Sequence, residues 1–134
     1  MYYIDACIWR DYWENRSDRF RPLGEWAFRF LRSIADQDIV LISEMLLDEL
    51  HKKYAPEEVV EMLDVVPAAS RVDISVSSLQ ESEAKSLARE RGVAFGDALH
   101  AVLARDCGAT MITRDNHFWK LTDIVDVKKP EDLL

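Results

Sequence analysis

The chain has 134 residues, 49% hydrophobic and 31% charged, the balance of a water-soluble globular domain rather than a disordered or membrane-embedded chain. A chain this long buries roughly two-thirds of the surface its unfolded form exposes, so one domain over residues 1–134 is expected. Its formal net charge of −8 excludes tight nonspecific binding to nucleic acid through a generally basic surface.

The charge is unevenly spread: residues 1–32 carry six arginines against five acids, leaving a net −9 on residues 33–134. No apolar run reaches the roughly twenty residues that cross a bilayer. The opening "MYYIDACIWRDYW" has Asp5 and Arg10 where a signal peptide would be apolar, so a cytoplasmic protein without a membrane partner is expected. Cys7 and Cys107 have no CxxC or Cys/His spacing suited to zinc and read as reduced, buried thiols.

In chain order, "YYI" before Asp5 reads as a short buried strand, and "DIVLIS" (38–43) as a second. Between them Pro22 opens a helix whose apolar residues Leu23, Trp26, Ala27, Phe30, Leu31 and Ile34 follow helical spacing. Phe28 falls off that stripe, on the Glu25 and Arg29 side, where an exposed aromatic marks either a contact with another chain or nothing at all. A helix follows at 44–54, and Pro56 starts another, "PEEVVEMLDVV", with acids in the first turn where the macrodipole favours them. "RVDISV" (71–76) is a third strand. Ser78-Leu79-Gln80-Glu81 fits a capping box opening a helix that runs to Gly92. The next helix runs from Asp97 to about Asp106 and is stopped by Gly108, "ATMITR" is a fourth strand, and "IVDV" (124–127) is a weaker fifth. Strands alternating with helices predict a three-layer α/β/α sandwich around a mostly parallel sheet of four to five strands.

In such sheets the site lies beyond the C-terminal ends of the strands, where strand order reverses. Asp5 follows the first strand and Asp115 the fourth. The helix from Asp97 climbs ~15 Å in about ten residues, and the strand after it returns ~20 Å; Asp97 and Asp115 therefore reach the same rim. In "SEMLLDELHKKY", Glu44, Asp48, His51 and Lys52 form a solvated stripe, whereas Glu49 shares its side with Met45 and Leu46. The helical face thus favours Glu49 over Glu44 as the acid directed inward, where an unpaired carboxylate costs several kcal/mol.

Singly, each acid has an ordinary structural use: Asp97 as a cap, Asp5 and Asp115 as strand-end turn residues, Glu49 as a side chain reaching for solvent. Together they do not. Unit charges ~4 Å apart repel by about 4 kcal/mol at an effective dielectric of ~20, so a four-acid rim calls for a divalent cation. Oxygen ligands without His or Cys select Mg2+ or Mn2+. Such an ion activates a bound water and neutralises charge on a phosphoryl oxygen, as phosphodiester hydrolysis requires.

At these residues the sequence resembles the PIN-domain ribonucleases, the family that includes VapC-type toxins. "YYIDACIW" resembles the family's opening strand with its first Asp, "ISEMLLDEL" the segment carrying its Glu, and "GDALHAVLARDCGATMITRDNHF" its most specific stretch. The resemblance implies metal-binding and catalytic roles for Asp5, Glu49, Asp97 and Asp115, with cleavage of RNA to 5′-phosphate and 3′-hydroxyl ends. It further implies an antitoxin protein as a partner and a homodimer as an assembly. Thr113 matches a hydroxyl two residues before the last Asp, and strand alternation turns both the same way. Asn116 is a candidate for completing the site around the metal.

Arg10, Arg16, Arg19 and Arg21, interleaved with Trp9, Tyr12, Trp13 and Phe20, are candidates for a patch that grips phosphates and stacks bases. His51, His100 and His117 are set aside as acid–base groups; His100, at i+3 from Asp97, reads as a packing or surface residue. Two other classes compete: a phospho-accepting receiver, and a PIN-like module serving only RNA binding or assembly. A receiver needs paired acids at its first strand and a Lys after a late one; "MYYID" has one acid and "MITRD" no Lys.

Overall fold

The computed structural model describes residues 1–134. Its elements run β1 (Tyr2–Ile4), α1 (Ala6–Trp13), α2 (Leu23–Ile34), β2 (Val40–Ser43), α3 (Glu44–His51), α4 (Pro56–Leu63), β3 (Arg71–Ile74), α5 (Ser78–Arg91), α6 (Phe95–Asp106), β4 (Thr110–Ile112) and β5 (Val127–Lys128). Short 3-10 turns cover Ala68–Ser70, Asn116–Leu121 and Pro130–Leu133. The five strands are all parallel, in the order β3-β2-β1-β4-β5. The expected α/β/α sandwich is therefore the observed one, and none of its helices is long and apolar enough to cross a membrane.

Strand alternation divides the core. Ile4, Val40, Ile42 and Ile112 face a layer built on α1 to α4, with Trp9, Phe30, Leu46, Leu50 and Met62 fully buried. Tyr3, Leu41, Met111 and Val127 face the opposite layer, α5, α6 and the 3-10 turn carrying Phe118 and Leu121. Covered on both sides, the central strands read as continuous apolar runs, as parallel strands do.

Helix α1 has no counterpart among the expected elements. Its sequence, ACIWRDYW, is rich in residues that lose side-chain freedom in a helix, so propensity is low and burial decides its conformation. Gly24 lets α2 pass the end of α1: a Cβ there would lie 2.5 Å from the Asn15 Cα. The capping box of α5 uses Ser77 and Gln80, one residue earlier than expected, because Gln80 is the residue that reaches back to the Ser77 N–H (2.9 Å). Helix α6 begins at Phe95 rather than Asp97. Strand β5 is displaced to Val127–Lys128, since Ile124 and Val125 instead close a turn onto the Leu121 carbonyl.

The chain leaves β1 for β2 and β3 on one side and returns to β4 and β5 on the other. The reversal falls between β1 and β4, whose C-terminal ends open onto the candidate site.

Candidate metal centre

Asp5 directly follows β1, and its N–H still donates to the Ile112 carbonyl of β4 at 2.9 Å. Its extended backbone (φ −65°, ψ 151°) makes it the N-cap of α1, with Oδ1 accepting from the Ala6 N–H at 2.8 Å. Oδ2 accepts from the Thr113 hydroxyl at 2.7 Å and from the Cys7 thiol at 3.4 Å. Burial first, then the Asp5 charge, pushes the Cys7 thiol far up, holding it protonated as a donor. Cys7 and Cys107 are free, as expected, but each is only partly buried.

Glu49 lies on α3, which Ser43 caps by accepting from the Leu46 N–H at 3.0 Å. The Glu49 Oε1 lies 2.8 Å from His100 Nε2. Burial pushes the Glu49 carboxyl up, but the hydrogen bond with His100 and the nearby cationic Arg10 and Lys52 outweigh it, leaving it below its usual range.

Asp97 sits in the first turn of α6, where the macrodipole favours an acid. Starting the helix at Phe95 relieves Asp97 of capping duty. Burial, then repulsion from Asp115 and from Asp5, raises the Asp97 carboxyl above its usual range. Asp115 follows β4 and caps the turn Asn116–Leu121, its Oδ1 accepting from the His117 N–H at 2.9 Å.

Two triads result, each with ligand atoms within 4.8 Å of one another: Asp5, Glu49 and His100, and Asp97, Asp115 and His117. Thr113 links them, donating to Asp5 and accepting the Asp115 N–H at 3.0 Å. None of the four carboxylates has an ion pair with Lys or Arg, although such pairs are frequent elsewhere on the molecule.

The structure thus gathers Asp5, Glu49, Asp97, Asp115 and Thr113. Arg10 lies near Glu49, with a buried Nε that has no partner. Asn116 is exposed at the rim. Glu44 is also exposed and lines a separate hollow with Leu47, Asp73 and Ser75.

Two histidines set aside on sequence grounds stand at the site. His100 is 1% exposed and touches Glu49; its i+3 spacing from Asp97 was the available signal, and what it meets from α3 and β1 is a tertiary matter. His117 Nδ1 lies 3.1 Å from Asp115 and 3.6 Å from Asp97. The arginine–aromatic patch is not continuous. Helix α1 turns Trp9 wholly into the core, Arg16 pairs with Glu14, and Arg21 pairs with Asp18. Only Phe20, 84% exposed beneath Arg19, keeps that character. Phe28 is exposed, as expected, and stacks on Tyr12.

A cluster of carboxylate oxygens with no lysine or arginine ion pair has the donor chemistry of a hard divalent cation site. The chain also matches solved structures along nearly its whole length. The VapBC2 complex of Rickettsia felis, bound to a DNA fragment from its promoter, aligns with a TM-score of 0.69 at 19% identity, over 96% of this chain and 97% of that one. A toxin–antitoxin complex from Klebsiella pneumoniae gives 0.67 at 20% identity, over 97% and 98%. VapC20 of Mycobacterium tuberculosis, a sarcin-ricin loop cleaving toxin, gives 0.66 at 19% identity, over 90% and 95%. At such identities the likeness is one of fold. No curated protein matches the chain. The pattern of the PIN domain, however, matches residues 2–124, a span that takes in β1, β4 and all four rim carboxylates, and the chain belongs to the PIN domain family.

Proposed function

We propose that this protein is a divalent-cation-dependent endoribonuclease that acts as the toxin of a toxin–antitoxin pair. The observation that carries this reading is the convergence of Asp5, Glu49, Asp97 and Asp115, none of them in an ion pair with lysine or arginine. At an effective dielectric of ~20 each close pair of like charges costs about 4 kcal/mol, which a bound cation offsets. The four carboxylates are the ligands on this reading, and oxygen donors suit Mg2+ or Mn2+. When bound, such an ion supplies activation of water and neutralisation of charge on the scissile phosphate.

The chain's own residues do the rest. Thr113 fixes the Asp5 carboxylate and the backbone at Asp115 across the β1/β4 junction. Arg10 offers positive charge beside Glu49, where a phosphate of the RNA would approach. Asn116, exposed at the rim, is placed to meet the substrate, and His117, exposed beside it, sets an imidazole nitrogen against Asp115 and Asp97. The products are a 5′-phosphate and a 3′-hydroxyl. The toxin role rests on the similar structures, two of which are toxin–antitoxin complexes and one a toxin that cleaves the sarcin-ricin loop. The partners on this reading are RNA, an antitoxin protein and a second copy of the chain.

Purified protein incubated with RNA tests it. Cleavage is expected with Mg2+ or Mn2+, stops with excess chelator, and is absent in a folded Asp97→Asn variant. Cleavage by that variant in excess chelator overturns the proposal.

A further inference from the structure

Helix α6 presents, one turn after Asp97, a histidine that neither solvent nor substrate can reach. Both ring nitrogens of His100 are engaged: Nε2 with Glu49 Oε1 at 2.8 Å, and Nδ1 with the Tyr3 hydroxyl at 2.5 Å. The Tyr3 hydroxyl in turn meets Ser43 Oγ at 2.5 Å, and Ser43 Oγ accepts from the Leu46 N–H at 3.0 Å. Tyr3, Ser43 and His100 are all buried.

The direction of this chain follows from which atoms can donate. An ionised carboxylate only accepts, so Nε2 carries the proton facing Glu49. With that proton on Nε2, Nδ1 accepts, the Tyr3 hydroxyl donates to it, and the Ser43 hydroxyl donates to Tyr3. Every hydroxyl, N–H and ring nitrogen in the series is satisfied in this one arrangement. The opposite tautomer sets a lone pair of Nε2 against a carboxylate oxygen at 2.8 Å. The series closes on itself through the fold: it starts at the N-terminus of α3, crosses β2, β1 and α6, and returns to α3 at Glu49.

We propose that His100 is a positioning residue that holds the Glu49 carboxylate in its cation-binding orientation, with Tyr3 and Ser43 fixing the ring; this rests on the metal-site reading above. Glu49 and Asp97 are the two members of the four-acid set with neither a capping role nor a backbone N–H to hold them, and Glu49 is the one on the longer side chain, beyond the first turn of its helix. Unlike Asp5 and Asp115, it depends on another side chain for its orientation. The hydrogen bond occupies one lone pair of Oε1 and leaves Oε2 for the ion. Groups that orient ligands in this way are typically worth about 10- to 100-fold in metal affinity.

Mn2+ titration of the metal-free protein, followed by the loss of free-ion electron paramagnetic resonance signal, tests this apart from catalysis. His100→Ala should weaken Mn2+ binding by about 10-fold or more. His100→Gln, whose amide N–H can still reach Glu49, should recover most of that loss. Tyr3→Phe keeps the ring in the core and removes only the hydroxyl, and should weaken binding several-fold. Melting in chelator reports whether each variant folds. If His100→Ala does not fold, Tyr3→Phe and His100→Gln carry the test. Wild-type affinity in folded His100→Ala or in Tyr3→Phe overturns the positioning role, as does a loss in His100→Gln as large as in His100→Ala. A wild-type protein that binds no Mn2+ overturns the metal-site reading instead, so the two failures are distinct.

Discussion

Thr113 and Asp5 join the ends of β4 and β1 through a hydrogen bond of 2.7 Å from the threonine hydroxyl to Oδ2. The Thr113 Oγ1 itself accepts the Asp115 N–H at 3.0 Å, so one buried hydroxyl sets the spacing of two rim acids. Hydrogen bonds to charged groups contribute about 1.5–3 kcal/mol. Thr113→Val, nearly isosteric, should lower urea-unfolding stability by about 1–2 kcal/mol and cut RNA cleavage about ten-fold. Thr113→Ser should keep both near wild type. A Val variant with full activity removes Thr113 from the site.

Asp97 is raised by burial and by its neighbours Asp115 and Asp5, so the folded state binds its proton more tightly than the unfolded chain does. In the window between the unfolded and folded values, stability of the metal-free protein therefore falls as pH rises. Asp97→Asn removes that loss. Metal-free Asp97→Asn should melt about 2–5 °C above wild type at neutral pH, the gap closing as pH falls below the usual aspartate range. Thermal melts in chelator across pH check this; an unchanged or lowered melting temperature contradicts it.

Cation binding should raise the melting temperature of the wild type, since a ligand at 100 times its Kd stabilises by about 2.7 kcal/mol. His117 adds an imidazole nitrogen 3.1 Å from Asp115, a donor that Mn2+, as a first-row transition ion, takes more readily than the strongly hydrated, oxygen-seeking Mg2+. His117→Ala should weaken Mn2+ binding several-fold while leaving Mg2+ binding within about two-fold. Calorimetric titration with each ion decides it. Equal losses for both ions would mean that His117 acts on the carboxylates rather than on the metal.

Glu49 and Glu44 share α3 but part company in space, Glu49 meeting His100 and Glu44 opening to solvent. Glu49→Gln should lower cleavage by at least about 100-fold; Glu44→Gln should leave it unchanged. The reverse ranking in a gel-based RNA assay would reassign the second carboxylate.

Arg114, adjacent to Asp115, donates to the buried Asp11 at 3.0 Å and to Glu131 at 2.7 Å, and lies over the Trp26 ring. Burial raises the Asp11 carboxyl despite this pairing, so the pair is needed to keep it tolerable. Arg114→Ala should destabilise the fold by about 3–5 kcal/mol, the usual result of leaving a buried charge unpaired. The double variant Arg114→Met, Asp11→Leu should recover much of that loss. Urea denaturation measures both, and additive losses in the double variant would rule out the pairing.

Most of the architecture was legible because burial imposes a period. The stripe of α2 and the unbroken apolar runs of β1, β2 and β4 appear where the residues alone place them. Boundaries moved where two residue sets competed for one role, as Ser77–Gln80 did with Ser78–Glu81 for the cap of α5. Helix α1 is not legible in the sequence because Cys7, Ile8, Trp9, Tyr12 and Trp13 do not favour a helix in isolation, and it forms because Ile8 and Trp9 fill the core against α2. That same helix dissolves the arginine–aromatic patch, since a helix sends Trp9 inward and spreads its neighbours over other faces.

By itself the sequence determined that strands and helices alternate, that the sheet is parallel, and that four acids end up near its C-terminal rim, because strand ends and helix starts are local properties of the chain. Only the tertiary structure decided what each acid meets there. Asp5 finds Thr113, Glu49 finds His100, and Asp97 finds His117, through contacts that cross from one element to another. The physical reason is range: helical and strand periods act over a few residues, whereas the hydrogen bonds that orient these carboxylates join positions 51 and 108 residues apart.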